Sequence, residues 1–117
     1  MIHEENNENL FWASFHYMQE RAHNTAEEKG WWDEPTPTPP HVIANIASEL
    51  FEAMRALRDN EDDRHLAGYK AHTVELADAV IRIMDYAGAC GLPLADAIID
   101  KMRYNETRPY RHGGKKF

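Results

Sequence analysis

An all-α fold follows from three features of the chain. Apolar residues recur at helical spacing, no segment alternates at period two, and four of the six prolines fall together between Trp31 and Pro40. At 117 residues the chain has the length of one domain, spanning 1–117, and buries about one core. Four helices and an irregular basic tail account for it.

Residues 8–29 form the first helix, offering Leu10, Phe11, Phe15, Tyr17, Met18 and Ala22 to a core. Gly30 supplies the left-handed residue that ends it. The proline-rich stretch that follows is a stiff connection. From His41 to Arg58, Ile43, Ile46, Ala47, Leu50, Met54 and Leu57 make one apolar stripe, the mark of an amphipathic helix. Asp59 to Asp63 read as a solvated acidic turn. A calcium loop starting at Asp59 would need Gly sixth and Glu twelfth, where the chain has Arg64 and Lys70. The third helix covers Leu66 to Ala89, with Leu76, Val80, Ile83, Met84 and Ala87 on its apolar face, and Gly88 and Gly91 end it. Pro93 opens the fourth, which runs to Tyr104, and residues 105–117 are irregular.

Charge is unevenly spread. The chain carries a net −7, but residues 101–117 hold six Lys and Arg against Glu106, so the tail is +5 and the first hundred residues −12. An acidic body argues against a nucleic-acid polymer as partner and suits a metal. The tail either folds onto the body or joins it in binding something anionic and metal-dependent. One cysteine, Cys90, excludes an internal disulfide and a Cys-rich zinc site. With no apolar run near the ~20 residues that span a bilayer, the expectation is a soluble, cytoplasmic protein without a membrane partner.

The chemistry sits in two acidic pairs, Glu49-x-x-Glu52 on the second helix and Glu75-x-x-Asp78 on the third. Residues three apart share a helix face, so each pair aims at one point. Ala53 and Ala56 allow close approach of the two helices, and antiparallel packing would bring four carboxylates together. Such a cluster repels itself unless a cation neutralises it. All-carboxylate ligation suits Mg²⁺, with Mn²⁺ as substitute. A di-iron site would need Glu-x-x-His pairs, and neither pair ends in His.

Glu49-x-x-Glu52 followed by Glu75-x-x-Asp78 resembles the metal-binding signature of the MazG-like all-α nucleoside triphosphate pyrophosphohydrolases. Lys29-Gly30-Trp31-Trp32-Asp33, the third-helix run from Glu75 to Asp85, and the tail from Lys101 to Phe117 are similar to the corresponding stretches of a single-domain MazG-like subgroup. That subgroup's pattern leads one to expect His two or three residues before the first carboxylate, where this chain has Ile46-Ala47-Ser48. The resemblance implies a four-helix MazG-like bundle assembled as a homodimer or homotetramer. It also implies hydrolysis of a ribo- or deoxyribonucleoside triphosphate to monophosphate and pyrophosphate by metal-activated water attack at the α-phosphorus. Mg²⁺ would lie on Glu49, Glu52, Glu75 and Asp78, with Glu52 and Glu49 the catalytic carboxylates and Glu52 the one to orient or deprotonate the water.

Lys101, Asn105, Arg108 and Arg111 are candidate phosphate ligands. Trp31 and Trp32 either stack on a base or close a core. Asp85, on the same polar stripe as Glu75, stands near the metal or pairs with Arg82 or a tail cation. His65 and His72 lack the third ligand a zinc site needs. A different class fits the composition as well: a non-catalytic acidic helical interaction module with a basic tail as clamp, indifferent to divalent metal.

Overall fold

The computed structural model describes residues 2–117, and they are all-α. The helices are α1 (Ile2–Glu28), α2 (Pro39–Asp59), α3 (Ala71–Cys90) and α4 (Leu94–Glu106), followed by a four-residue turn, α5 (Arg111–Gly114). Among the described residues the only β-type pairing is one bridge between Asp62 and Lys70. No described helix is long and apolar enough to cross a membrane.

Local chemistry sets the ends. α1 starts earlier than its apolar pattern does, since no Pro or Gly interrupts residues 2–8, and Glu4 and Glu5 suit the positive end of the helix dipole. α2 begins at Thr38, whose hydroxyl accepts the His41 N–H at 3.4 Å, and Pro39 and Pro40 fill positions that need no N–H partner. It ends at Asn60, left-handed at φ 52°, whose N–H reaches the Ala56 carbonyl at 2.9 Å. α3 starts at Ala71, not at Leu66. The Asp63 carboxylate accepts the N–H groups of His65 (3.0 Å) and Leu66 (2.8 Å), which ties 63–66 into a turn that competes with helix. Gly88 does not end α3 but lies inside it. A Cβ there would come within 2.9 Å of the His23 Cβ, so this glycine sets how closely α1 approaches.

α3 is the central helix. α2 runs antiparallel along it: Ala71 N–H bonds to the Glu61 carbonyl (2.9 Å), His72 Nδ1 lies 3.0 Å from the Ala53 carbonyl, and Arg82 reaches Glu49. α1 packs on α3 also, while α4 meets α1 near its start through the Arg103–Glu8 ion pair. His72 is therefore a strut between the two helices.

Small residues make the interior. Ala53, Ala79, Ala87 and Ala95 are buried with Ile46 and Met84, and among the described residues no large side chain is completely enclosed. The first helix departs in part from expectation here: Leu10, Phe11, Tyr17 and Met18 are exposed, Phe15 and Ala22 are half-buried, and among the described residues of α1 the buried one is Gln19. The face turned toward α3 is the Gln19, His23 face, because Gly88 admits those side chains.

Candidate functional site

Glu49, one turn before buried Ala53 on α2, faces α3, and Glu75 and Asp78 stand one turn apart on α3. The antiparallel register brings ligand oxygens of these three carboxylates within 4.8 Å of one another. Arg82, one turn beyond Asp78, donates from Nε to Glu49 Oε1 at 2.9 Å. Glu52 lies outside the cluster, in a 3.5 Å ion pair with Arg55, although its charge still acts on Glu75. So three of the four expected carboxylates meet and the fourth stands at the rim.

The cluster's electrostatics follow from this crowding. Partial burial holds the Glu75 carboxyl above its ordinary pKa, and a hydrogen bond and repulsion from Glu49 push it further up. Asp78 is raised as well, by desolvation and then by Glu49, with Arg82 pulling the other way. Three repelling oxygen donors with no His or Cys among them fit a hard divalent cation.

The sign of the pH effect is fixed by those directions. Between the ordinary carboxylate values, near ~4, and the raised ones, the folded chain binds more protons than the unfolded chain. Metal-free protein is therefore expected to lose thermal stability as pH rises through that window, and saturating Mg²⁺ to restore it. Melting curves in chelator and in Mg²⁺ across that range check this, and Glu75→Gln should flatten the chelator curve.

Beside the cluster lies a cavity of about 720 Å³, within the range of ~300–1,000 Å³ typical of small-molecule sites. α3 contributes Asp78, Arg82 and Asp85, so cluster and cavity share a wall. Trp31, Trp32 and the proline loop also line it, while Arg21 and Lys29 bring positive charge and Asn45 an amide. Trp31 is 66% exposed; Trp32 is half-buried and donates its indole N–H to Asp85 at 2.9 Å.

Asp85 pairs neither with Arg82 nor with a tail cation, and its oxygens are not among those that meet in the carboxylate cluster. Its partners are Trp32 and His23, the latter brought in by the close crossing at Gly88. The tail candidates are elsewhere too. Lys101, Asn105, Arg108 and Arg111 line no part of this cavity. Lys101 and Arg108 lie over the Tyr104 ring (4.6 and 5.7 Å), and Arg111 donates to the Lys116 carbonyl at 2.7 Å. The cations that do line it are Arg21, Lys29 and Arg82; Arg21 carries no local motif and becomes visible only when α1 is laid against α3.

No family model matches the chain, and comparison with curated proteins and with solved structures finds no match either.

Proposed function

We propose that this chain is a Mg²⁺-dependent nucleoside triphosphate pyrophosphohydrolase of the MazG-like kind, a soluble cytoplasmic enzyme that works as a homodimer. The observation that carries the reading is the shared wall: Asp78 belongs both to the three-carboxylate cluster and to the lining of an aromatic cavity of nucleotide size. Glu49, Glu75 and Asp78 would hold the ion, with Glu52 at the rim within reach of a water. When bound, the ion neutralises charge on the triphosphate and acidifies a water for attack at the α-phosphorus. Arg82 steadies Glu49, the tryptophans flank the base, and Arg21 and Lys29 meet phosphate charge. Hydrolysis monitored as monophosphate plus pyrophosphate over a panel of ribo- and deoxyribonucleoside triphosphates tests the proposal.

Dimerisation is supported by how poorly one chain covers itself. Its accessible surface is 9295 Å², whereas a compact monomer of 13.5 kDa should expose about 6,500 Å². The radius of gyration, 16.9 Å, likewise exceeds the ~13 Å of a compact chain.

The tail fits the same reading across a dimer. A triphosphate carries roughly four negative charges, and one protomer's cavity has few cations, of which Arg82 is already paired. The partner's tail would supply the rest, through Lys101, Arg108 and Arg111, with Asn105 adding an amide donor. Mixing a Glu75→Gln chain with an Arg108→Ala/Arg111→Ala chain should then restore activity that neither has alone, through heterodimers with one complete site. Activity no higher than the sum of the two separate variants would confine each site to its own chain.

The non-catalytic interaction module draws on the same exposed apolar residues. It predicts a partner other than this chain and no response to Mg²⁺ with nucleotide, which thermal shift resolves.

A further inference from the structure

Three elements converge on one carboxylate oxygen. Asp85 Oδ1 on α3 accepts the Trp32 indole N–H at 2.9 Å and lies 2.9 Å from His23 Nδ1 on α1. The His23 ring stands edge-on to the indole, 5.9 Å between centroids at 67°, and its Nε2 contacts Glu27 Oε1 at 2.5 Å. Both Asp85 and His23 are largely enclosed, with side chains 18% and 20% exposed. One turn along α3, Gly88 leaves the gap that lets His23 come so close.

This arrangement does not suit proton transfer or metal binding. Both His23 nitrogens are taken by carboxylates, leaving none to accept a proton from a water. Asp85 lies outside the group of carboxylates whose oxygens meet. What the arrangement does fix is the indole. Trp32 has one polar group, and with that N–H spent on Asp85 the ring meets the cavity as an apolar surface of set orientation. A ring already immobilised loses little entropy when a ligand stacks on it. Trp31, exposed and without such an anchor, lacks that advantage.

We propose that Asp85, braced by His23, positions Trp32 as the stacking platform for a planar heteroaromatic ring in the cavity. Naming that ring a nucleobase rests on the function proposed above. Asp85 and His23 are positioning residues: they act on ligand affinity through Trp32 and leave the metal and the chemical step alone.

The test joins a ground-state reading to kinetics. In the ¹⁵N–¹H spectrum of the metal- and nucleotide-free protein, the Trp32 indole resonance should move upfield in Asp85→Ala and stay close to its native place in Asp85→Asn, whose amide oxygen still accepts. For the triphosphate the native enzyme hydrolyses fastest, Asp85→Ala should raise KM about tenfold, the scale of one lost stacking contact. Its kcat should stay within about threefold and its Mn²⁺ affinity should not change. Asp85→Asn should recover most of the loss, and His23→Asn, with an amide nitrogen in place of Nδ1, should be milder than His23→Ala. An indole resonance indifferent to Asp85→Ala overturns the proposal, as does an unchanged KM with the resonance displaced. A Mn²⁺ affinity that falls with Asp85→Ala would make Asp85 a metal ligand instead. If the native protein hydrolyses no triphosphate, the nucleotide reading fails by itself, and the indole resonance still decides whether Asp85 holds the ring.

Discussion

Glu75→Gln is expected to abolish Mg²⁺-dependent triphosphate hydrolysis while making the metal-free protein more stable. Both effects come from one cause. Glu75 has the crowded place, pushed up in pKa by burial and by Glu49, with Asp78 and Glu52 adding repulsion. Neutralising it removes unfavourable interactions from the empty cluster and one oxygen donor from the ion. Loss of a residue behind a metal ligand typically costs about 10–100-fold in affinity or activity, and loss of a direct ligand should cost more. Asp78→Asn is expected to behave alike, with a smaller gain in stability because Arg82 already offsets part of the repulsion there. Glu52→Gln separates the roles. Outside the cluster and paired with Arg55, Glu52 should contribute little to ion affinity, yet its loss should lower kcat if it orients the water. Initial rates against Mg²⁺ concentration, with melting curves in chelator, check all three variants.

The second large effect concerns assembly. On α2, Ile43, Leu50, Met54 and Leu57 form an exposed stripe, each more than half exposed, and Phe51 beside them is 65% exposed. Val80 and Leu76 on α3 are exposed as well. A stripe of this size on a single chain is a surface that needs a cover. Sedimentation at micromolar concentration should give twice the 13.5 kDa chain mass. Leu50→Asp with Met54→Asp should yield a monomer of much lower thermal stability, since burying four charges across a two-fold axis is prohibitive. A native chain sedimenting at 13.5 kDa would contradict the dimer.

Much of this molecule is legible in its sequence, and what is not has identifiable causes. The α2 stripe is local, so periodicity places it, but the helix starts at Pro39, inside the stretch whose prolines read as a connection, because Thr38 caps it and Pro39 and Pro40 stand where no N–H partner is needed. The i, i+3 acidic pairs are local too, and only the antiparallel register was needed to bring Glu49 to Glu75 and Asp78. The start of α3 is not legible, because Asp63 captures two backbone N–H groups that the apolar pattern assigns to helix. α1 was read by its large apolar residues, yet it turns Gln19 and His23 inward. That inversion depends on Gly88, which looks like a helix terminator in sequence and is in fact a helix crossing. Asp85 stands out in the sequence but its partners do not, since Trp32 and His23 lie 53 and 62 residues away. No local spacing encodes such a contact.

The most direct measurement is of products. Native protein with Mg²⁺ and each common ribo- and deoxyribonucleoside triphosphate, resolved by chromatography and by ³¹P spectra, should yield monophosphate and pyrophosphate in equal amounts from at least one of them. Excess chelator should stop the reaction, and Glu75→Gln should not support it. Diphosphate and orthophosphate as products would contradict attack at the α-phosphorus, undiminished turnover in chelator would contradict the metal cluster, and no turnover of any triphosphate would contradict the enzyme itself.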